Sequence, residues 1–168
     1  ARDLNSTNRL LREIKSPQGE DLEDYLDLKI ALLEAEGKKS EMVLLAEELY
    51  ERFPKEMHLA ELCSIVETNR RQVLLDRYIK LQSGSSISLG FLQILVAFNE
   101  FVRLELYLEK MGEEQLTTLS ADALTHLTQE LEEKGQIELS NRIKEWIVEE
   151  PEDLREKVID YIFGYLNE

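Results

Sequence analysis

Apolar residues recur at helical spacing along most of the chain. Between positions 21 and 37, Leu22, Leu26, Ile30 and Leu33 fall at steps of three and four, the period of one helix face. Tyr25, Leu28, Leu32 and Ala35 make a second apolar face, which predicts neighbours on both sides of this helix. Gly37 ends it, as a glycine of positive φ commonly does. A second helix follows, with Met42, Leu45, Ala46, Leu49 and Phe53 in one stripe and Glu41, Glu47, Glu48 and Glu51 elsewhere. Pro54 closes the pair.

The same plan continues. Positions 55–68 predict a helix carrying Leu59, Leu62, Cys63 and Val66, and Asn69 is placed to take the left-handed turn. Its partner over 71–82 has Leu74, Tyr78 and Leu81 in line. Ser83, Gly84, Ser85 and Ser86 form a loop, with Ser86 or Ser88 as the next cap. Positions 87–98 are the most apolar stretch and predict a buried helix that tolerates Gly90. Asn99 turns the chain into a helix over 100–111 that ends at Gly112. A short connector over 113–119 leads to a helix capped by Ser120, with Leu124, Leu127 and Leu131. Gly135 turns it into a helix over 137–150 carrying Ile143, Trp146 and Ile147. Pro151 precedes a last helix over 152–166, whose apolar line is Leu154, Val158, Tyr161, Ile162 and Tyr165. At the other end, Ser6 or Thr7 caps a short helix over 8–15 in a slightly basic arm, broken at Pro17 and Gly19.

The turn residues Gly37, Asn69, Asn99 and Gly135 recur at roughly 30–36-residue intervals, the mark of stacked helical hairpins. The expected fold is all-α: a right-handed α-α superhelix of about four hairpins plus a C-terminal capping helix. The expected division is an N-terminal arm over 1–19 and a single helical-repeat domain over 20–168. An irregular helical bundle serving as a subunit of a larger complex is the alternative.

The hairpin over 21–54 resembles a tetratricopeptide repeat, whose unit of about 34 residues places a turn between two helices and closes on proline. Gly37 and Pro54 stand at those places, and Gly135 and Pro151 stand at nearly the same separation. The family's Trp, Leu, Gly and Tyr positions on the first helix hold Leu26, Lys29, Ile30 and Leu33. Its Ala and aromatic positions on the second hold Met42 and Ala46. The 92–111 stretch is similar in flavour to the pentatricopeptide variant. The resemblance implies a protein-binding scaffold or adaptor, or, for the pentatricopeptide variant, an RNA-binding array.

Charge narrows this. A net charge of −15 with 33% charged residues opposes the phosphate contacts that supply non-specific nucleic-acid affinity, and suits anionic membrane surfaces poorly. The expected partner is a protein or peptide segment, with neither nucleic acid nor membrane insertion; a homo-oligomer is an open option. No apolar run reaches bilayer length, and no signal-peptide pattern is present. The expected location is the cytoplasm, in a chain that begins with Ala and is read as a possible fragment.

Candidate chemistry is sparse. The single cysteine, Cys63, lies in an apolar stripe and reads as core. His58 is five positions away, about 140° around a helix, which does not make a nucleophile–base pair. No metal, cofactor or catalytic residue is expected, and a carboxylate-lined enzyme cavity is the outlying reading. Arg70, Arg71, Arg77 and Lys80 form the one basic cluster, fit for a carboxylate, a phosphate or an acidic segment. Recognition is expected in the groove lined by the first helix of each hairpin. There Lys29, Asn69 and Asn99 are the candidate polar contacts. Phe163, off the apolar line of the last helix, is a candidate docking edge for a second copy or for the rest of a longer protein.

Overall fold

A computed structural model describes residues 20–82 and 85–147. Among these residues every regular element is helical: eight α-helices, one 3-10 helix and no strand. The expected helices over 8–15 and 152–166, and with them Phe163, lie outside the described residues. The chain forms two compact units, Ala1–Gln82 and Ser83–Glu168.

The first unit holds α1 (Glu20–Ala35), α2 (Lys39–Arg52), α3 (Glu56–Ile65) and α4 (Thr68–Leu81). Each packs against the next. Its core is Leu26, Leu32, Leu33, Met42, Ala46, Leu49, Leu59, Leu62, Cys63, Leu75, Tyr78 and Ile79. The expected first face of α1 gives Leu26 and Leu33 to this core and the α2 stripe gives Met42, Ala46 and Leu49, while Leu22, Ile30, Leu45 and Phe53 are half-buried. The second face of α1 does not pack as expected: Leu32 is buried, but Leu28 and Ala35 are exposed and Tyr25 is half-buried. In α4 the buried line is Leu75, Tyr78 and Ile79, while Leu81 is 69% exposed. The helix begins at Thr68, three residues earlier than the sequence predicts.

Three of the four predicted left-handed turns are present, at Gly37 (φ 71°), Asn99 (φ 58°) and Gly135 (φ 76°). All three close the same way. The residue after the turn donates to a carbonyl five positions back: Lys38 to Leu33 (2.9 Å), Glu100 to Leu95 (2.8 Å) and Gln136 to Leu131 (2.8 Å). These are Schellman closures, which satisfy the last carbonyls of a helix. Asn69 is not a turn residue. It lies in the first turn of α4, and α3 ends earlier, through extended backbone at Val66 and Glu67. The physical reason is a different cap: Arg71 Nε donates to the Cys63 carbonyl at 2.8 Å. A side chain from the next helix thus satisfies a carbonyl that a left-handed residue serves elsewhere.

The second unit holds α5 (Leu89–Ala97), α6 (Phe101–Met111), a 3-10 helix (Glu113–Thr118), α7 (Ala121–Glu133) and α8 (Ile137–Lys144). Ser88 and Ser120 cap as predicted, accepting from Phe91 N (3.3 Å) and Ala123 N (3.2 Å). The most apolar stretch is a central helix, with Phe91, Leu92, Leu95 and Val96 fully buried. Phe91 meets Tyr107 edge to face, with centroids 4.8 Å apart. The Tyr107 hydroxyl accepts from Ser88 N at 3.0 Å, satisfying a buried polar tip. The helix predicted over 137–150 stops at Lys144. Its continuation instead folds toward the 3-10 helix, where Trp146 Nε1 donates to Glu113 Oε2 at 3.2 Å. Arg142 Nε donates to the other oxygen of Glu113 at 3.0 Å.

These contacts set two expected outcomes. Gly135→Ala, at φ 76° with open space around its Cα, should lose about 1–2 kcal/mol in urea unfolding through left-handed strain alone. Asn99→Gly should stay within about 0.5 kcal/mol; equal losses at both sites would contradict the turn assignment. The second concerns Glu113. The Arg142 hydrogen bond foremost, with the Trp146 indole N–H, holds its carboxyl below the usual glutamate range against opposing burial. Its folded value lies below its unfolded one, so its stabilisation is full above the unfolded value and is lost as pH falls through the folded one. Emission from Trp146, the one tryptophan, should therefore change below the usual glutamate range. Glu113→Gln should abolish that step.

Candidate functional site

The basic cluster sits on α4, and the fold turns two of its four members, Arg70 and Arg77, toward α2. Asn69, Arg70 and Arg77 line a cavity of about 410 Å³ together with Tyr50, Leu62, Val73 and Leu74. Glu47 and Glu51 of α2 complete the wall. Arg70 and Arg77 are two helical turns apart on α4, so they reach the same side. Leu62, at the base, is fully buried.

A second cavity of about 580 Å³ adjoins the first between α2 and the α3–α4 junction, lined by Lys39, Val43, Leu44, Ile65, Val66 and others. Glu47 and Arg70 line both. They form an ion pair, Arg70 Nε donating to Glu47 Oε1, and this pair is the partition between the two. The combined trough has an apolar floor and two large apolar side chains at its rim, Leu44 at 67% and Val73 at 66% exposure.

Tyr50 and Arg77 share the first cavity. Burial pushes the Tyr50 hydroxyl up, with the Arg77 charge opposing it, so the hydroxyl stays neutral and able to donate. Arg77 is exposed, and no carboxylate among the described residues pairs with it. It is the side chain best placed to meet an incoming anion.

The other predicted contacts scatter. Arg71 turns away to cap α3. Lys80 is exposed on α4 outside both cavities. Lys29 is half-buried on α1, with Nζ 5.9 Å from the Tyr25 ring centroid in a cation–π contact. Asn99 belongs to the second unit, where its Oδ1 accepts from Lys134 Nζ at 3.0 Å. The trough also runs along α2 and the second hairpin's α4, with Leu62 and Ile65 of α3 in its walls, and no α1 residue lines it. Sequence reasoning missed Glu47, Tyr50 and Val73, since each comes from a stretch read only for its core stripe. Leu44 and Val73, apolar residues outside their stripes, were the available signal.

Glu23 and Asp27 of α1 stand beside the buried His58 of α3 and offer ligand-type atoms within 4.8 Å of one another. No helix among the described residues is long and apolar enough to cross a membrane. No protein-family model matches the chain, and no curated protein or solved structure is detectably similar to it.

Proposed function

We propose that the chain is a non-enzymatic interaction module of tetratricopeptide-like plan, a right-handed superhelix of about four hairpins with a C-terminal capping helix. It binds a short acidic segment of a protein partner along α2 and α4. The carrying observation is the trough itself: an apolar floor flanked by Asn69, Arg70 and Arg77, on a chain of net charge −15. A local basic site on an acidic body repels most cellular anions at long range and attracts a carboxylate only at short range. The apolar rim at Leu44 and Val73 favours a segment that alternates acidic and large apolar residues. The Arg70–Glu47 pair sits where such a segment would cross from one cavity to the other. An exposed pair of this kind contributes little to stability, so exchanging Glu47 for a carboxylate of the partner is inexpensive.

Binding is measured by fluorescence anisotropy with two labelled peptides of the same apolar residues, one flanked by Asp and Glu, the other by Lys. The acidic peptide should bind and the basic one should not. Arg77→Glu should weaken binding by at least about tenfold, equal to about 1.4 kcal/mol, and Leu44→Ser should weaken it less. Binding that ignores both the peptide charge and Arg77→Glu sinks the proposal. Retention on heparin at moderate salt would favour a nucleic-acid role instead.

A further inference from the structure

Asp27 and Glu34 of α1 and Glu61 of α3 line a cavity of about 390 Å³ together with apolar Ile30, Met42 and Ile65. No Lys or Arg among the described residues forms an ion pair with any of these carboxylates. Asp27 and Glu61 meet only the Nδ1 side of the buried His58, each at 3.9 Å, too long for a hydrogen bond. Burial foremost, with Glu23 and Asp24 adding to it and His58 and Lys55 opposing, pushes the Asp27 carboxyl up. Negative charge is thus gathered, without a paired cation, beside an apolar hollow.

The same side of α1 continues toward its start. Asp24, Asp27, Ala31 and Glu34 recur at steps of three and four, the spacing of one helix face. Asp24 is exposed and has no ion-pair partner among the described residues. Next to this line lie Leu28 and Ala35, exposed members of the apolar face that the sequence assigns to a neighbour. An occupant of this side must supply both cations and apolar side chains.

We infer that the N-terminal arm docks here, residues 8–15 lying back across α1 of their own chain. In a chain of net charge −15 this stretch is basic, with Arg9, Arg12 and Lys15 against Glu13 alone, and it carries Leu10, Leu11 and Ile14. It joins α1 directly through positions 16–19, where Pro17 and Gly19 favour a turn. Folded back as a helix, it runs antiparallel to α1. Arg9 and Arg12 are three positions apart, as are Asp24 and Asp27, about 4.5 Å along a helix in each case. The four-residue link spans at most about 13 Å. Arg12 then comes level with Asp24 and Arg9 with Asp27, about 6 and 10.5 Å along α1 from Glu20. Exposed ion pairs are weak, but so short a tether keeps the arm at high effective concentration. The trough between α2 and α4 is the wrong sign for it, since Arg70 and Arg77 repel a basic segment. The docked arm gives α1 a neighbour on its second apolar face and closes the acidic side to basic segments of other proteins. It stands whether or not the trough binds a peptide.

The test places a nitroxide on the arm of the full chain, through Asn8→Cys, and reads paramagnetic broadening of backbone amides by NMR. The native Cys63 is buried, and the unsubstituted chain taken through the same labelling is the control. The amides of Asp27, Ala31, Glu61 and Ser64 should lose most of their intensity, and that of Arg77 far less. Arg9→Glu combined with Arg12→Glu leaves α1 to α4 untouched and should return the broadened amides to nearly control intensity. Isotope-labelled, untagged chain mixed with tagged chain of natural isotope abundance should show no broadening. Three results each overturn the docking: broadening confined to the first turn of α1, broadening that survives the charge reversal, or broadening in the mixed sample. The first leaves the acidic side to a basic segment of another protein, and the last assigns it to the arm of a second copy.

Discussion

The first unit depends on one buried imidazole and the carboxylate that serves it. α3 is ten residues long, too short to be stable as an isolated helix. It persists because Leu59, Leu62 and Cys63 are sealed between α2 and α4. His58 shares that sealed face, and a buried imidazole is tolerated only with a hydrogen-bond partner. Glu23 supplies it from α1, across two intervening turns of chain. Lys55, just before α3, holds Glu23 from the other side. Thus a polar contact, rather than apolar packing alone, sets how α1 lies along α3. It also determines which carboxylates come to face the second ring nitrogen.

The junction between α3 and α4 shows how one side chain redirects function. Arg71 caps the Cys63 carbonyl, so α3 closes without a left-handed residue and α4 starts at Thr68. That start puts Asn69 and Arg70 in the first turn of α4 and brings Arg77 round to the same wall. The Arg70–Glu47 pair then divides the space between α2 and α4 into two connected cavities. A cap and a surface ion pair, each modest in energy, together shape the trough.

The second unit is closed by a comparable device. Its core is apolar throughout α5, and its hairpins end in Schellman turns at Asn99 and Gly135. Its far edge is tied by Glu113, which receives Arg142 and Trp146 from α8 and the residues after it. These two donors also explain why α8 stops at Lys144. Where Trp146 and Ile147 would have continued the helix, the indole is instead turned toward a carboxylate it can reach.

Local signals in the sequence determined most of the helices and their ends. Period and caps carry that information within a few residues: Gly37, Asn99 and Gly135 as turns, Ser88 and Ser120 as caps, and the 87–98 stretch as a buried helix. The all-helical class followed from the same cues. The failures share a cause. The turn missed at Asn69 hangs on a side chain, Arg71, reaching back to the Cys63 carbonyl, and the length of α8 goes with Glu113, 33 residues from Trp146; which of Leu81 and the second face of α1 are covered is decided by helix packing. The candidate sites lie in the same blind spot. Arg70 and Arg77 stood out as basic residues, but Glu47, Tyr50 and Val73 joined them only through the packing of α2 on its neighbours. His58 was read beside Cys63, its neighbour in sequence, while Glu23 and Asp27 lie a full hairpin away. Helix ends are decided by a few adjacent backbone groups, so the sequence displays them. A site assembled from facing helices is decided by tertiary packing, because only the packed fold brings those side chains within bonding distance.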